Sequence, residues 1–235
     1  MNLQKKLEYE FKKQMEDLDD HTIGLAVSGG GDSIAMLSLA SEWSNSKKKV
    51  IKVVTVNHNL RNEAKKEAIF TRELVKKLGH THTILEWKKL SDGGNLQAEA
   101  SFARKNLISN WAKLNNIKTV LIGLTWYSTK LVDENNILYN SSAERNKSLV
   151  LLIDELTKNN KKVFLVGPIL TPKYNLASLL SRGLAYGKIQ DYKLFAPIDE
   201  FKINYSKEIT FFKNKLDKNF LLPHQYLCDD LSCYF

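Results

Sequence analysis

Residues 22–43 read TIGLAVSGGGDSIAMLSLASEW and divide into three parts. Ile23, Leu25 and Val27 lie in a short apolar run that suits a buried strand. Ser28, Gly29, Gly30, Gly31, Asp32 and Ser33 follow, with little side-chain bulk before the aspartate. Ile34, Leu37 and Leu39 then open an amphipathic helix that runs to about Trp43. A strand, a glycine turn and a helix in this order make a phosphate cradle. Glycine lets the backbone approach an anion closely, and the N-terminus of the helix adds exposed N–H groups and partial positive charge. The loop is neither a Walker A sequence, since no Gly-Lys-Ser/Thr follows, nor a G-x-G-x-x-G fingerprint.

Outward from this stretch, strands and helices alternate. Leu3, Leu7, Phe11 and Met15 form one stripe of a helix over about residues 3–18, preceding the cradle strand. After the cradle helix, Val50 to Val56 predicts a second strand, leading into Asn57, His58, Asn59, Leu60 and Arg61. Asn62 caps a helix that ends in Lys76 and Lys77 and stops at Gly79. His82 to Trp87 is a third strand, Asn95 to about Leu114 a long helix, and Thr119 to Ile122 a fourth strand. Lys105 and Lys113 read as a solvated face of the long helix. Further on, Ser142 to Lys158 predicts a helix and Lys162 to Val166 a strand. Leu176 to Leu184 is a short helix, and Pro197 to Leu216 a longer one capped by Asp199. This order specifies an α/β fold with a doubly wound, mostly parallel sheet. Ligands of such sheets sit beyond the C-terminal ends of the strands, at the switch point. The cradle, the His58 loop and Gly123 all follow strand ends and converge there.

The formal charge of +9 favours a polyanionic partner such as RNA. No apolar run approaches the length of a membrane span, and the charged N-terminus lacks the apolar core of a signal peptide. These features point to a soluble protein of the cytoplasm, or of the matrix of an organelle, with no membrane partner. The two cysteines, Cys228 and Cys233, do not make a disulfide scaffold, and in a reducing cytosol they are free thiols.

The sequence Ser-Gly-Gly-Gly-Asp-Ser resembles the PP-loop of the ATP pyrophosphatases, whose fold is that of the adenine nucleotide α-hydrolases and is Rossmann-like. Residues from Ile23 to Gly123 resemble more closely the N-terminal domain of the tRNA(Ile)-lysidine synthase family, through four blocks in order. These are the loop itself, Val56 to Arg61, Gly94 to Ala100 with Ala103 and Arg104 after it, and Val120 to Gly123. The resemblance implies ATP-dependent adenylation of the wobble cytidine of a CAU-anticodon tRNA(Ile). L-lysine then displaces AMP to form lysidine. It also implies that Ser28, Gly29, Gly30, Gly31, Asp32 and Ser33 hold the phosphates and that Asp32 places Mg2+. By the same resemblance His58 and Arg61 would lie near the nucleotide, and Arg104 would contact the reacting nucleotide or phosphate.

The resemblance ends after Gly123. A Gly-His-x-x-Asp-Asp block belongs there, and this chain has Leu124 in place of the histidine and no aspartate before Asp133. Leucine neither donates a proton nor holds a phosphate, so an alternative reading is an ATP-binding module with impaired catalysis. Residues 124–235 resemble, more loosely, the later part of an SGNH-type hydrolase domain of acyltransferases. That resemblance rests on Val120 to Tyr127, Lys161 to Pro168 and the segment from Leu227 to Cys233. It implies a disulfide between Cys228 and Cys233. The catalytic serine block would precede Val120 and the Asp-x-x-His block would follow Phe235, so a fragmentary acyl hydrolase is a third reading. The expected division is a PP-loop ATP-binding domain at 1–123 and a divergent α/β region at 124–235.

Overall fold

The apolar runs expected as strands lie side by side in one sheet. The computed structural model describes residues 3–57, 62–87, 96–124, 126, 131–132, 138–139, 141–168 and 195–234. The first half holds α1 (Leu3–Gln14), β1 (Thr22–Val27), α2 (Gly31–Lys47), β2 (Val50–Asn57), α3 (Asn62–Lys77), β3 (Thr81–Glu86), α4 (Leu96–Leu114) and β4 (Thr119–Gly123). The second half holds β5 (Leu131–Val132), β6 (Leu138–Tyr139), α5 (Ser141–Lys158), β7 (Lys162–Val166), β8 (Phe195–Pro197), α6 (Ile198–Leu216), β9 (Phe220–Leu221), α7 (His224–Leu227) and β10 (Ser232–Tyr234). The short helix expected at 176–184 lies outside the described residues.

Six strands form the main sheet in the order β3-β2-β1-β4-β7-β9, and each neighbouring pair is parallel. The period of two along β1 explains how the helices dock on it. Ile23, Leu25 and Val27 join Phe11 of α1, Met15 just beyond it, and Met36, Leu37 and Trp43 of α2 on one face. Ala26 belongs to the other face, with Ile108 and Trp111 of α4, Leu149 and Leu152 of α5, and Phe201 and Phe212 of α6. Helices therefore cover both faces, as the doubly wound reading requires. The chain leaves β1 for β2 and β3 on one side and returns as β4 on the other, so the switch point lies between β1 and β4. There Val27 pairs with Gly123. β4 in turn pairs with β7 from Thr119↔Lys162 to Ile122↔Leu165. Residues on both sides of position 123 thus supply strands to the same sheet.

Four local expectations are corrected. The buried stripe of α2 runs through Ser33, Met36, Leu37, Ala40, Ser41, Trp43 and Ser44, while Ile34 and Leu39 are only half-buried. Small serines let the helix pack closely, and their hydroxyls are satisfied: Ser44 Oγ donates to Ser41 O at 2.9 Å, and Ser41 Oγ lies 2.8 Å from His80 Nε2. Asp199 does not cap α6; Pro197 occupies that position without a side-chain hydrogen bond, and Asp199 falls in the first turn. Lys105 is not solvated, being 3.8 Å from Glu155 of α5 and over the ring of Phe102 at 4.5 Å.

The fourth correction concerns the cysteines. Cys228 and Cys233 form a disulfide rather than two free thiols. The backbone between them brings them together. Asp229 Oδ1 accepts from the N–H groups of Leu231 and Ser232, and Asp229 N donates to Ser232 O, closing a tight turn. The two cysteines then face each other across an antiparallel bridge as β10 pairs with β8.

Candidate nucleotide site

The glycine loop occupies the switch point. Val27 ends β1, and Gly29 takes φ +89°, a backbone conformation strained for any residue with a Cβ. Gly30 is extended at φ −74° and ψ 159° and stands as the N-cap of α2, with no side-chain acceptor for the first helical N–H groups. Those groups and the positive end of the helix dipole point outward from the loop, the arrangement that receives a phosphate. The two serines hold the loop's shape. Ser33 Oγ donates to Gly30 O at 2.8 Å and accepts from Gly29 N at 3.2 Å, while Ser28 Oγ lies 3.2 Å from Ser33 Oγ and accepts from Gly30 N at 3.4 Å. Ser33 is fully buried, so its role in the geometry is to brace the turn from beneath.

Asp32 sits in the first turn of α2, half-buried. Burial pushes its carboxyl above the usual carboxylate range, and a hydrogen bond from the backbone N–H of Trp126 partly offsets this. A carboxylate beside a run of N–H donors fits a divalent cation that bridges phosphate oxygens, since Mg2+ needs only one or two protein carboxylates when phosphates supply the rest. Among the described residues no cluster of three or more His, Cys, Asp or Glu could hold a metal by itself.

The floor of the site is set by Gly123. A Cβ there would stand 2.9 Å from Met36 Sδ and 3.0 Å from Ser33 Cα, so α2 crosses the end of β4 at a distance only glycine permits. Leu124 follows and packs against the apolar cluster of the α4/α5/α6 face. At the end of β2, Thr55 Oγ1 donates to Val27 O and lies 2.9 Å from His82 Nε2. The hydroxyl proton is used on Val27, so Nε2 is the protonated nitrogen of a neutral imidazole. Burial, with Arg72 nearby, pushes His82 down to about 4. This chain of contacts ties Val27 at the end of β1 to Thr55 of β2 and to His82 near the start of β3.

Of the residues expected at the site, Ser28, Gly29, Gly30, Gly31, Asp32 and Ser33 come together. His58 and Arg61 lie outside the described residues. Arg104 lies in the middle of α4, about 12 Å along the helix from its start by the usual rise per residue. There Nη1 donates to Ser148 Oγ of α5 at 3.2 Å, and burial lowers its guanidinium from the ordinary value.

Trp126 is the site residue that the sequence reading missed. Its side chain is 1% exposed. Nε1 donates to Val166 O at 2.8 Å, and the ring meets Phe212 edge-on at 5.7 Å and Phe220 at 6.3 Å. Arg145 of α5 donates from Nη1 to the Trp126 carbonyl and lies over the indole at 5.1 Å. Arg145 also meets Glu208 of α6 at 3.8 Å, between two largely buried side chains. The available signal was a tryptophan immediately after a strand end at the switch point.

A separate cavity of about 430 Å³ opens at the other end of the strands, beside the start of β7. Lys13, Lys162, Lys213 and Lys218 border it, and none of the expected site residues does. No helix among the described residues is long and apolar enough to cross a membrane.

The PP-loop domain family model matches residues 3–126. A second model, the SGNH domain (fused to AT3 domains), matches residues 86–235. A tRNA(Ile)-lysidine synthase of Wolbachia pipientis wMel is 41% identical over 105 residues, covering 44% of this chain and 24% of that protein. One of Ruegeria pomeroyi is 38% identical over 103 residues, covering 44% and 25%. The chain thus spans about a quarter of the length of these curated relatives. Among solved structures, an NH3-dependent NAD synthetase from Campylobacter jejuni aligns over 93% of this chain and 95% of its own, at 19% identity and a TM-score of 0.41.

Proposed function

We propose that this chain, which belongs to the PP-loop domain family over residues 3–126 and to the SGNH domain family over residues 86–235, binds ATP at the loop 28–33. In this reading it serves a ligase of the lysidine synthase type. The wobble cytidine of a CAU-anticodon tRNA(Ile) is adenylated, and L-lysine displaces AMP. The observation that carries the reading is the loop itself. It presents a positive-φ glycine, an uncapped helix N-terminus and a half-buried carboxylate within six residues, inside the PP-loop match over residues 3–126.

In this reading Ser28 to Ser33 hold the phosphates. Asp32 holds Mg2+, which when bound offsets the charge of the phosphate oxygens. His58 and Arg61 are assigned to the nucleotide by the family resemblance alone. Arg104 is assigned to the reacting nucleotide on the strength of the matched block alone, because its guanidinium is engaged with Ser148. Residues 1–123 form the ATP-binding domain and 124–235 a second region that shares its sheet. The setting is the cytoplasm, where tRNA and ATP are both present.

One observation favours a second reading of the activity. Leu124 packs into an apolar cluster at the position where the resembled family carries a histidine. An ATP-binding module with impaired adenylation is its consequence. The test is incorporation of labelled lysine into CAU-anticodon tRNA(Ile) with ATP and Mg2+, run beside ATP binding and with Asp32→Ala as control. Incorporation that vanishes in the control supports the ligase. ATP binding without incorporation supports the module. Failure to bind ATP overturns both.

A further inference from the structure

The two halves of the chain together build the cavity at the start of β7, away from the glycine loop. Its volume of about 430 Å³ lies within the range of small-molecule sites. Lys13 comes from the PP-loop half, and Lys162, Lys213 and Lys218 from the part that only the SGNH model matches. At its edge Gln14 Nε2 donates to Tyr226 Oη at 2.9 Å and joins the halves. The floor is apolar: Phe164, Phe220 and Leu222 line it and are otherwise buried. The rim is cationic. Lys162 stands over the Phe164 ring at 5.1 Å. Lys213 lies in the last turn of α6, and Lys218 follows across a sharp reversal. There Asp217 takes φ 47° and ψ −123°, a conformation that is strained for a residue with a Cβ, and its N–H donates to Lys213 O. The reversal sets both lysines on one rim.

Asp17 and Asp217 also line the cavity, so the lining holds two more cations than anions. The four lysines are exposed, and none forms an ion pair with a described carboxylate. Lys215, at the same end of α6, does find one, Asp154 at 2.6 Å. Lys13 and Lys213 offset the negative ends of α1 and α6. Lys162 and Lys218 have no such duty. A surplus of two positive charges above an apolar floor complements a phosphate monoester, which carries about 1.5 to 2 negative charges near neutral pH, attached to an apolar or aromatic body.

We propose that this cavity binds a small phosphate monoester with an apolar or aromatic body, at a site separate from the loop 28–33. Lys162 and Lys218 take the phosphate, and the body lies on Phe164, Phe220 and Leu222. The site stands whether or not the loop binds ATP. It also gives the second half a ligand that needs no hydrolase chemistry.

The experiment is an amide NMR titration of the full chain with AMP, adenosine and inorganic phosphate. AMP should shift the amides of Lys162 to Leu165 and of Lys218 to Leu222, while any binding at the loop is read separately at Ser28 to Ser33. Adenosine lacks the phosphate and inorganic phosphate lacks the body, so each should bind at the cavity about tenfold more weakly than AMP, or worse. Lys162→Glu with Lys218→Glu changes two exposed side chains and should lose about tenfold or more in AMP affinity at the cavity. Lys218→Gln alone, a neutral change on the exposed turn, should lose about threefold and decides the matter if the double variant does not fold. Shifts confined to Ser28 to Ser33, no shifts at all, or equal AMP affinity in the folded variants would overturn the proposal. So would a single-stranded RNA without a terminal phosphate that shifts the cavity amides where AMP does not, since the surface would then be an RNA contact.

Discussion

Ser33 Oγ, in the first turn of α2, donates to Gly30 O at 2.8 Å and fixes the turn that carries Asp32. Burial destabilises the charged form of the Asp32 carboxylate, and the net shift is upward. Asp32 is therefore kept at some cost to the fold. Asp32→Ala should leave the melting temperature within a few degrees of wild type or raise it, while weakening Mg2+-ATP binding at least tenfold. Scanning calorimetry beside a nucleotide titration checks both halves.

Gly29 and Gly31 of the loop should respond differently to alanine. At Gly29 the backbone is at φ +89°, and a Cβ would meet Thr71 Oγ1 at 3.2 Å and Glu67 Cβ at 3.3 Å. Gly29→Ala should cost about 1–2 kcal/mol in denaturant unfolding. At Gly31 a Cβ meets nothing within 4 Å, so Gly31→Ala should change stability by less than about 0.5 kcal/mol. If the open side of the loop is where phosphate sits, the same silent substitution should weaken ATP binding several-fold. Unchanged affinity in Gly31→Ala would count against the cradle.

Gly123→Ala tests the crossing of α2 over β4. With Met36 Sδ at 2.9 Å and Ser33 Cα at 3.0 Å from the new methyl, overpacking should cost about 1–3 kcal/mol. Adding Met36→Ala removes one of the two obstacles. The double variant should be less destabilised than the sum of the singles, with a coupling of at least about 0.5 kcal/mol. Strict additivity in urea unfolding would mean that the helix does not sit this close.

Stability should fall in mild acid. His82 and His224 are both pushed down to about 4 by burial, helped by Arg72 and Lys213 respectively. Unfolded, an imidazole takes its proton near pH 6.5. Between these values the unfolded chain binds more protons than the folded one, so stability is full above about pH 6.5 and declines as pH drops toward 4. Replacing His82 with Gln should reduce this loss. Melting temperatures across pH 7 to 4 for both proteins provide the check.

The strands were legible because each is a run of apolar or β-branched residues between turn signals. Lys162–Val166 matches its expected limits, and Val50–Asn57 extends its expected range by one residue. The glycine loop was legible for the same local reason. What lay beyond reading were contacts whose chemistry is not in the side-chain pattern. Trp126 is buried by Val166, Phe212 and Phe220, which only the tertiary fold brings to it. Ser33, Ser41 and Ser44 are buried by close helix packing, where a hydropathy pattern assigns them outward. Arg104 was read from its block, but its partner Ser148 belongs to a helix reached only through the tertiary fold. The cysteine pair turned on the Asp229 turn between them, which spacing alone does not disclose.

β4 is hydrogen-bonded on both edges, to β1 on one and β7 on the other. It also falls within 86–126, the residues that both family models match. A cut after Gly123 would strip β4 of its outer neighbour and leave a bare row of backbone donors and acceptors along a five-residue hydrophobic strand. Such an edge recruits other chains. Produced separately, the two pieces should aggregate or seek each other out. Inheritance of one strand by two lineages would then have made their descendants inseparable.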